Sequence, residues 1–113
     1  MKCKNAIIGK KVNVIMDRPL GSAHPEHKDM IYPVNYGYIR GIKAGDGEWQ
    51  DCYVLGENKP IKRFNGIVVA IIKRKNDAED KWIVAKKGAY ITNEQILEET
   101  AFQEQYFDIE LIR

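Results

Sequence analysis

The sequence lacks several features by which whole classes of protein are recognised. Its two cysteines, Cys3 and Cys52, lie far apart without Cys-x-x-Cys spacing, which excludes the usual zinc-ribbon and dithiol motifs. Its longest apolar run, residues 67–72, is far shorter than the ~20 residues of a membrane-spanning helix. It also has no N-terminal apolar segment followed by a small-residue cleavage site. We therefore expect a reduced, soluble, cytoplasmic protein that does not associate with a membrane.

An excess of charge of one sign is also absent. The 18 Lys and Arg residues nearly balance the 16 Asp and Glu residues, and the net charge is +2. A dedicated nucleic-acid binder is strongly basic and a solvating tail is strongly acidic, so global charge names no partner. The 113 residues, 44% of them hydrophobic, are enough for one compact core and too few for two. Residues 1–113 are therefore predicted to form a single domain.

Short apolar runs separated by turn residues indicate a β-rich fold. Strands are predicted at residues 6–8, 12–16, 36–43, 51–55, 66–73 and 82–85. The first two would form a hairpin around residues 9–11 or two strand ends, and the last two an antiparallel hairpin. Thr92 with Gln95 begins a predicted helix that extends to Tyr106, and the alternation in 107–111 predicts an edge strand. The predicted fold is mainly β (α+β): a small OB-like antiparallel β-barrel with one C-terminal helix.

Two acidic turns flank the central strands. The first contains Asp46, Glu48 and Asp51, and the second contains Asp77, Glu79 and Asp80. If neighbouring strands bring the turns together, the carboxylates converge at one end of the barrel, where they repel one another unless cations neutralise them. Mg²⁺ is the natural cation because it prefers carboxylate and phosphate oxygens, with Mn²⁺ as the alternative. For either turn alone, a solvated loop is the commoner interpretation.

Aromatic and histidine side chains leave two interpretations open. Tyr32, Tyr36 and Tyr38 are by default packing residues of a strand, although their hydroxyls can bind phosphate oxygens. His24 and His27 are either metal ligands or solvent-exposed loop residues, and the sequence shows no third soft ligand beside them.

Two motifs resemble the signature of the soluble family I inorganic pyrophosphatases. Residues 32–39, Tyr-Pro-Val-Asn-Tyr-Gly-Tyr-Ile, are similar to the family's Tyr-Pro-x-Asn-Tyr-Gly-Tyr-Ile strand, and residues 46–51, Asp-Gly-Glu-Trp-Gln-Asp, to its Asp-Gly-Asp-Pro-Leu-Asp loop. Weaker similarities at 14–19, 66–85 and 102–106 follow in the same order. The resemblance implies a five-stranded OB-like barrel, magnesium held by carboxylates, and hydrolysis of pyrophosphate to two phosphates.

The resemblance also implies individual roles. The implied metal ligands are Asp46, Asp51, Asp77 and Asp80. The implied catalytic residues are Tyr36 and Glu48, which stands where the family has the aspartate usually assigned as base. The implied substrate-binding residues are Asp17, Tyr36, Lys81 and Tyr106.

The chain departs from the family pattern mainly at phosphate-binding cations. The family's lysine after the later aspartate falls at Trp82, one position beyond Lys81, and a one-residue offset in a strand moves a side chain to the other face. The lysine after the helix tyrosine is replaced by Phe107. The early lysine and arginine have no clean equivalents, because His24 and His27 occupy that region. Metal ligands are thus better retained than phosphate-binding cations.

The sequence therefore predicts a magnesium-dependent, homo-oligomeric inorganic pyrophosphatase that acts on a small phosphate substrate. One alternative is a metal-dependent hydrolase of another phosphoanhydride or a nucleotide. Another is a non-catalytic OB-like module that stacks single-stranded nucleic acid on Tyr36, Tyr38, Trp49 and Trp82. The near-neutral net charge argues against this last alternative.

Overall fold

A β-sheet that closes into a barrel forms the body of the protein, which the computed structural model describes over residues 6–75 and 79–113. The elements in chain order are β1 (Lys11–Arg18), β2 (Asn35–Lys43), β3 (Trp49–Val54), β4 (Arg63–Arg74), β5 (Asp80–Ala85), α1 (Asn93–Glu104) and β6 (Ile109–Ile112). The strand order is β1-β2-β3-β5-β4-β6, and a further pairing of β1 with β4 closes the first five strands into a ring. The predicted OB-like barrel with one helix is confirmed.

One strand pair determines where the functional side chains meet. Strands β3 and β5 are parallel, with Cys52 opposite Trp82, whereas the other pairs are antiparallel. This register places residues that begin β3 beside residues that begin β5. The two acidic turns of the sequence, which precede these two strands, therefore lie at the same end of the barrel.

The predicted N-terminal hairpin is wrong. Residues 6–9 form turns, and β1 begins at Lys11 and pairs with β2 and β4. The Gly9 amide donates to the Val68 carbonyl at 2.7 Å, so the chain at the predicted turn is already bonded to β4. Ile7 and Ile8 pack against the barrel interior instead of forming a strand. The backbone here forms its hydrogen bonds with the long strand β4 and not within a local hairpin.

Alternation along the strands creates two apolar clusters. One fills the barrel interior and includes Val14, Cys52 and Trp82. The other lies between the barrel and α1 and includes Tyr53 and Ile96. Because neighbouring residues of a strand face opposite sides, Trp82 belongs to the barrel interior and the residues before and after it to the helix side.

Helix α1 begins as its sequence predicts. The Gln95 amide donates to the Thr92 hydroxyl at 3.0 Å, which caps the first turn. The helix ends at Glu104, two residues before the predicted end at Tyr106. Gln103 and Glu104 are buried, so the last turn brings polar groups onto the barrel. Among the described residues, no helix combines the length and hydrophobicity needed to cross a bilayer.

Two glycines of the motifs have clear structural reasons. A Cβ on Gly37 would lie 2.1 Å from the Ile15 carbonyl oxygen, so the close approach of β1 and β2 requires glycine there. Gly47 has φ +86°, which confirms the predicted turn after Asp46.

Candidate active site

An open cavity of about 1090 Å³ lies where β1 and β4 end and β5 begins, beside the C-terminal end of α1. The charged side chains that line its inner part are Arg18, Asp51, Arg74, Glu79 and Lys81, together with the hydroxyl-bearing Tyr36. We call this set the inner cluster. Its members come from the five strands β1 to β5, except Glu79, which immediately precedes β5.

Lys81 is the centre of the inner cluster. Its ammonium nitrogen lies 2.8 Å from the Tyr36 hydroxyl, 2.9 Å from Asp51 Oδ2 and 3.2 Å from Glu79 Oε1. The lysine side chain is only 4% exposed, and a buried ammonium is tolerated only with such partners. Burial, followed by the nearby Asp51 charge, raises the pKa of Tyr36, so this hydroxyl stays protonated.

The face of β5 that meets the cavity carries Lys81 and not Trp82. Glu79 shares this face, because it lies two residues before Lys81, and both contact one another. Asp80 lies on the opposite side of the strand by the same alternation, and its backbone carbonyl accepts a hydrogen bond from Gln50 Nε2 at 2.7 Å. The structure therefore brings Glu79 to the cavity and leaves Asp80 outside its lining.

The two acidic turns meet through a pair of carboxyl groups. The Asp46 side chain is hydrogen-bonded to Glu79, and this contact lowers the pKa of Asp46. Burial, followed by the same hydrogen bond, raises the pKa of Glu79. One shared proton accounts for the opposite directions, because two adjacent carboxyl groups resist carrying two charges. A cation placed between them would relieve the same repulsion.

Arg74 is held by the helix. Its Nε and Nη2 atoms donate to the two Glu104 oxygens at 3.0 and 2.7 Å, and its Nη1 donates to Glu79 at 3.1 Å. Tyr53 also donates to Glu104, at 2.6 Å, and accepts from Gln103 Nε2 at 2.7 Å. This bidentate, buried arrangement ties α1 to β3 and β4.

Arg18 is the inner-cluster cation without a carboxylate partner. Its Nη1 donates to the Tyr32 hydroxyl at 2.7 Å, and its guanidinium carbon lies 5.5 Å from the centre of the Tyr36 ring. No salt bridge joins it to a carboxylate of the described residues. Sequence reasoning missed Arg18, although Pro19 signals that the strand ends there. An arginine in this position is suited to an anionic ligand.

The remaining predicted residues are distributed unevenly. Tyr106 lines the outer part of the cavity and is 68% exposed. Asp17 and Glu48 are exposed and do not line the cavity, and the amide of Glu48 donates to Asp46 Oδ1. Asp77 lies outside the described residues. The structure thus brings together Tyr36, Asp51, Lys81 and Tyr106, with Asp46 joined to them through Glu79.

The donor atoms fit a hard divalent cation in chemical type. Asp46, Asp51 and Glu79 present carboxylate oxygens, which Mg²⁺ prefers. Within residues 6–75 and 79–113, however, no three His, Cys, Asp or Glu side chains are grouped closely enough to hold a metal ion. The Lys81 ammonium lies between Asp51 and Glu79. The cation that these two carboxylates share in this structure is therefore the lysine side chain.

The fold is that of bacterial inorganic pyrophosphatases. The enzyme from Ehrlichia chaffeensis superposes with a TM-score of 0.69 at 19% identity, over 91% of this chain and 85% of that one. The enzyme from Neisseria gonorrhoeae gives 0.68 at 18% identity, over 87% and 74%. The Helicobacter pylori enzyme gives 0.68 at 14% identity, over 92% and 85%. Neither a protein-family model nor a curated protein sequence matches the chain.

Proposed function

We propose that this protein is a magnesium-dependent hydrolase of phosphoanhydrides that cleaves inorganic pyrophosphate. The observation that carries the proposal is the inner cluster, in which Arg18, which makes no salt bridge within the described residues, lies near a lysine shared by two carboxylates. The barrel that positions the cluster is the barrel of proteins described as inorganic pyrophosphatases. The proposal includes the homo-oligomeric state expected from the resemblance and the cytoplasmic location expected from the cysteine pattern.

Arg18 is the first contact for the substrate in this proposal. Guanidinium carries five N–H donors, of which one is directed at Tyr32. The others can bind phosphoryl oxygens bidentately, and the adjacent Tyr36 hydroxyl fixes the position of the Lys81 ammonium. All three Lys81 contacts are to Tyr36, Asp51 and Glu79, so this lysine reaches a phosphate only by giving up one of them.

Asp46, Asp51 and Glu79 would have to move closer together to hold Mg²⁺, and Asp77 and Asp80 stay candidates from the sequence. A bound Mg²⁺ polarises phosphoryl oxygens and makes a water nucleophilic at neutral pH. The chain's own contribution is to hold the carboxylates on one side of the cavity and Arg18 on another. Glu48 stays a candidate base, although its loop would have to turn to bring it to the cavity.

Phosphate release from pyrophosphate in Mg²⁺ tests the proposal. Asp51→Asn keeps the size of the side chain and removes the charge that faces Lys81, so we expect turnover to fall about 100-fold or more, beyond the usual 10–100-fold effect of an outer-shell change. Asp108→Asn, an exposed change outside the cavity lining, is the matched control. Equal release by wild type and Asp51→Asn would contradict the proposed site.

Two of the four aromatic rings that the nucleic-acid alternative requires for stacking are buried. Tyr36 and Trp82 are 3% and 6% exposed, so neither ring can receive a base. Trp49 is 39% exposed, but Lys43 covers one face of its ring at 4.9 Å. The observations therefore favour the phosphoanhydride site.

A further inference from the structure

The outer part of the cavity differs in chemistry from the inner cluster. It is formed by residues 24–31 on one side and by residues that follow α1 on the other. We call the five side chains His27, Met30, Ile31, Tyr106 and Phe107 the outer wall. Ile31 is 51% and Tyr106 68% exposed, so large apolar groups stand open inside a cavity that also contains charges.

The cavity is larger than inorganic pyrophosphate requires. Its volume of about 1090 Å³ is at the upper end of pockets that bury drug-sized ligands, roughly 300–1,000 Å³. Two phosphoryl groups placed against Arg18 and Lys81 would contact the inner cluster and leave the outer wall uncovered. The space beyond the phosphates is therefore available to a further part of the substrate.

The outer wall is suited to a flat, uncharged group. It contains no lysine or arginine, and the adjoining Asp29 would repel additional phosphates. The centre of the Phe107 ring lies 3.7 Å from the Arg74 guanidinium carbon, so Arg74 covers one face of the ring and holds it in place. Aromatic rings of this kind stack on nucleobases. At the same rim, His27 and Gln105 offer hydrogen-bonding groups that a heterocycle can use and a hydrocarbon chain cannot.

We propose that the outer wall binds the base of a nucleoside di- or triphosphate whose phosphoanhydride lies in the inner cluster. This inference rests on the proposed function and names a larger substrate for the same site. Water attacks the terminal phosphorus, the bridging P–O bond breaks, and the products are phosphate, the nucleotide shortened by one phosphate, and a proton. Phe107 stands where the resembled family has a lysine. In this proposal the phenyl ring contacts the base, whereas a lysine would contact a phosphate.

Binding and turnover measured side by side test this inference. Calorimetry in Mg²⁺ compares pyrophosphate, adenosine and the diphosphates ADP, GDP, CDP and UDP on the wild-type protein. We expect at least one nucleoside diphosphate to bind about tenfold more tightly than pyrophosphate, the gain from one stacked base. Phe107→Leu should remove this tenfold gain and change pyrophosphate affinity less than twofold. Tyr90→Leu, an exposed aromatic outside the cavity lining, is the matched control.

A second variant guards against a folding defect in the first. His27→Leu alters the opposite side of the outer wall at an exposed position, and it should reduce only the nucleotide affinity. Thermal unfolding of each variant reports whether it is folded.

Four outcomes overturn the inference. They are equal affinities for pyrophosphate and all the diphosphates, equal weakening of both ligands by Phe107→Leu, tighter binding of geranyl diphosphate than of any nucleotide, and a dimer that Phe107→Leu dissociates. Selective nucleotide binding without hydrolysis of either anhydride would instead contradict the proposed function and support the base-binding wall. Hydrolysis of pyrophosphate alone, with no nucleotide preference, would contradict the wall and support the proposed function.

Discussion

Within the part of the chain that the structure describes, Arg74 and Lys81 each contact two carboxylates, and Glu79 is common to both. Around Arg74 the second carboxylate is Glu104, which is 2% exposed and held in a bidentate contact under α1. Around Lys81 the second carboxylate is Asp51, whose side chain is 30% exposed and faces the cavity. Similar charges therefore serve two environments. Arg74 lines the cavity but is held by Glu104, which is sealed under α1, whereas Lys81 is held by Asp51, which is open to ligands.

The difference between the two cations follows from their chemistry. Guanidinium is a rigid fork that matches both oxygens of a carboxylate, so Arg74 holds one geometry. Ammonium is a compact charge on a flexible stem, so Lys81 can exchange one oxygen partner for another. We infer that the Arg74 cluster stabilises the fold and that the Lys81 cluster changes partners when ligands bind.

The largest expected effect breaks the sealed cluster. Glu104→Leu removes the bidentate acceptor of a buried guanidinium and the acceptor of the Tyr53 hydroxyl. We expect the free energy of unfolding to fall by about 3 kcal/mol, as when one partner of a buried pair is lost. Chemical denaturation measures it. Glu98→Leu, on the exposed side of α1, should stay within about 0.5 kcal/mol of wild type. Equal losses in the two variants would contradict a structural role for the buried pair.

A smaller effect is expected at the open cluster. Lys81→Met removes the cation that Asp51 and Glu79 share, so the carboxylates repel one another until another cation binds. We expect the variant to bind Mn²⁺ about tenfold more tightly than wild type, which corresponds to about 1.4 kcal/mol, and to bind pyrophosphate more weakly. Calorimetry measures both affinities, with the exposed Lys86→Met as control. Weaker Mn²⁺ binding in Lys81→Met would show that the ammonium does not compete with metal.

The smallest effect concerns His24 at the mouth of the cavity. Burial, then the charges of Arg18 and His27, lower the pKa of His24 from its ordinary value near 6.5. The folded state therefore binds fewer protons here than the unfolded state, and the small stabilisation present above pH 6.5 is lost as pH falls through the lowered pKa. His27→Asn removes one of these charges and should raise the pKa of His24 slightly. NMR titration of the imidazole measures it, and an unchanged pKa would contradict the coupling.

Local patterns in the sequence were sufficient for the elements and for part of the site. Apolar runs and turn residues located β2 to β5 within a few residues, and Thr92 located the start of α1, because these signals act between neighbours in the chain. The tyrosine motif predicts the barrel. Its glycine, Gly37, is required because a side chain there would clash with the backbone of Ile15. The motifs also predict Tyr36, Asp51 and Lys81 as site residues, and the structure places all three side chains in contact.

Only the tertiary structure determines which side chains meet at the cavity. The parallel register of β3 and β5 determines that Lys81 and Glu79 face Asp51, while Trp82 and Asp80 face away. The contacts of Arg74 with Glu104 and of Tyr32 with Gln103 join residues 30 and 71 positions apart. A strand's pattern shows that its faces alternate, but only pairing with distant strands determines which face meets the cavity.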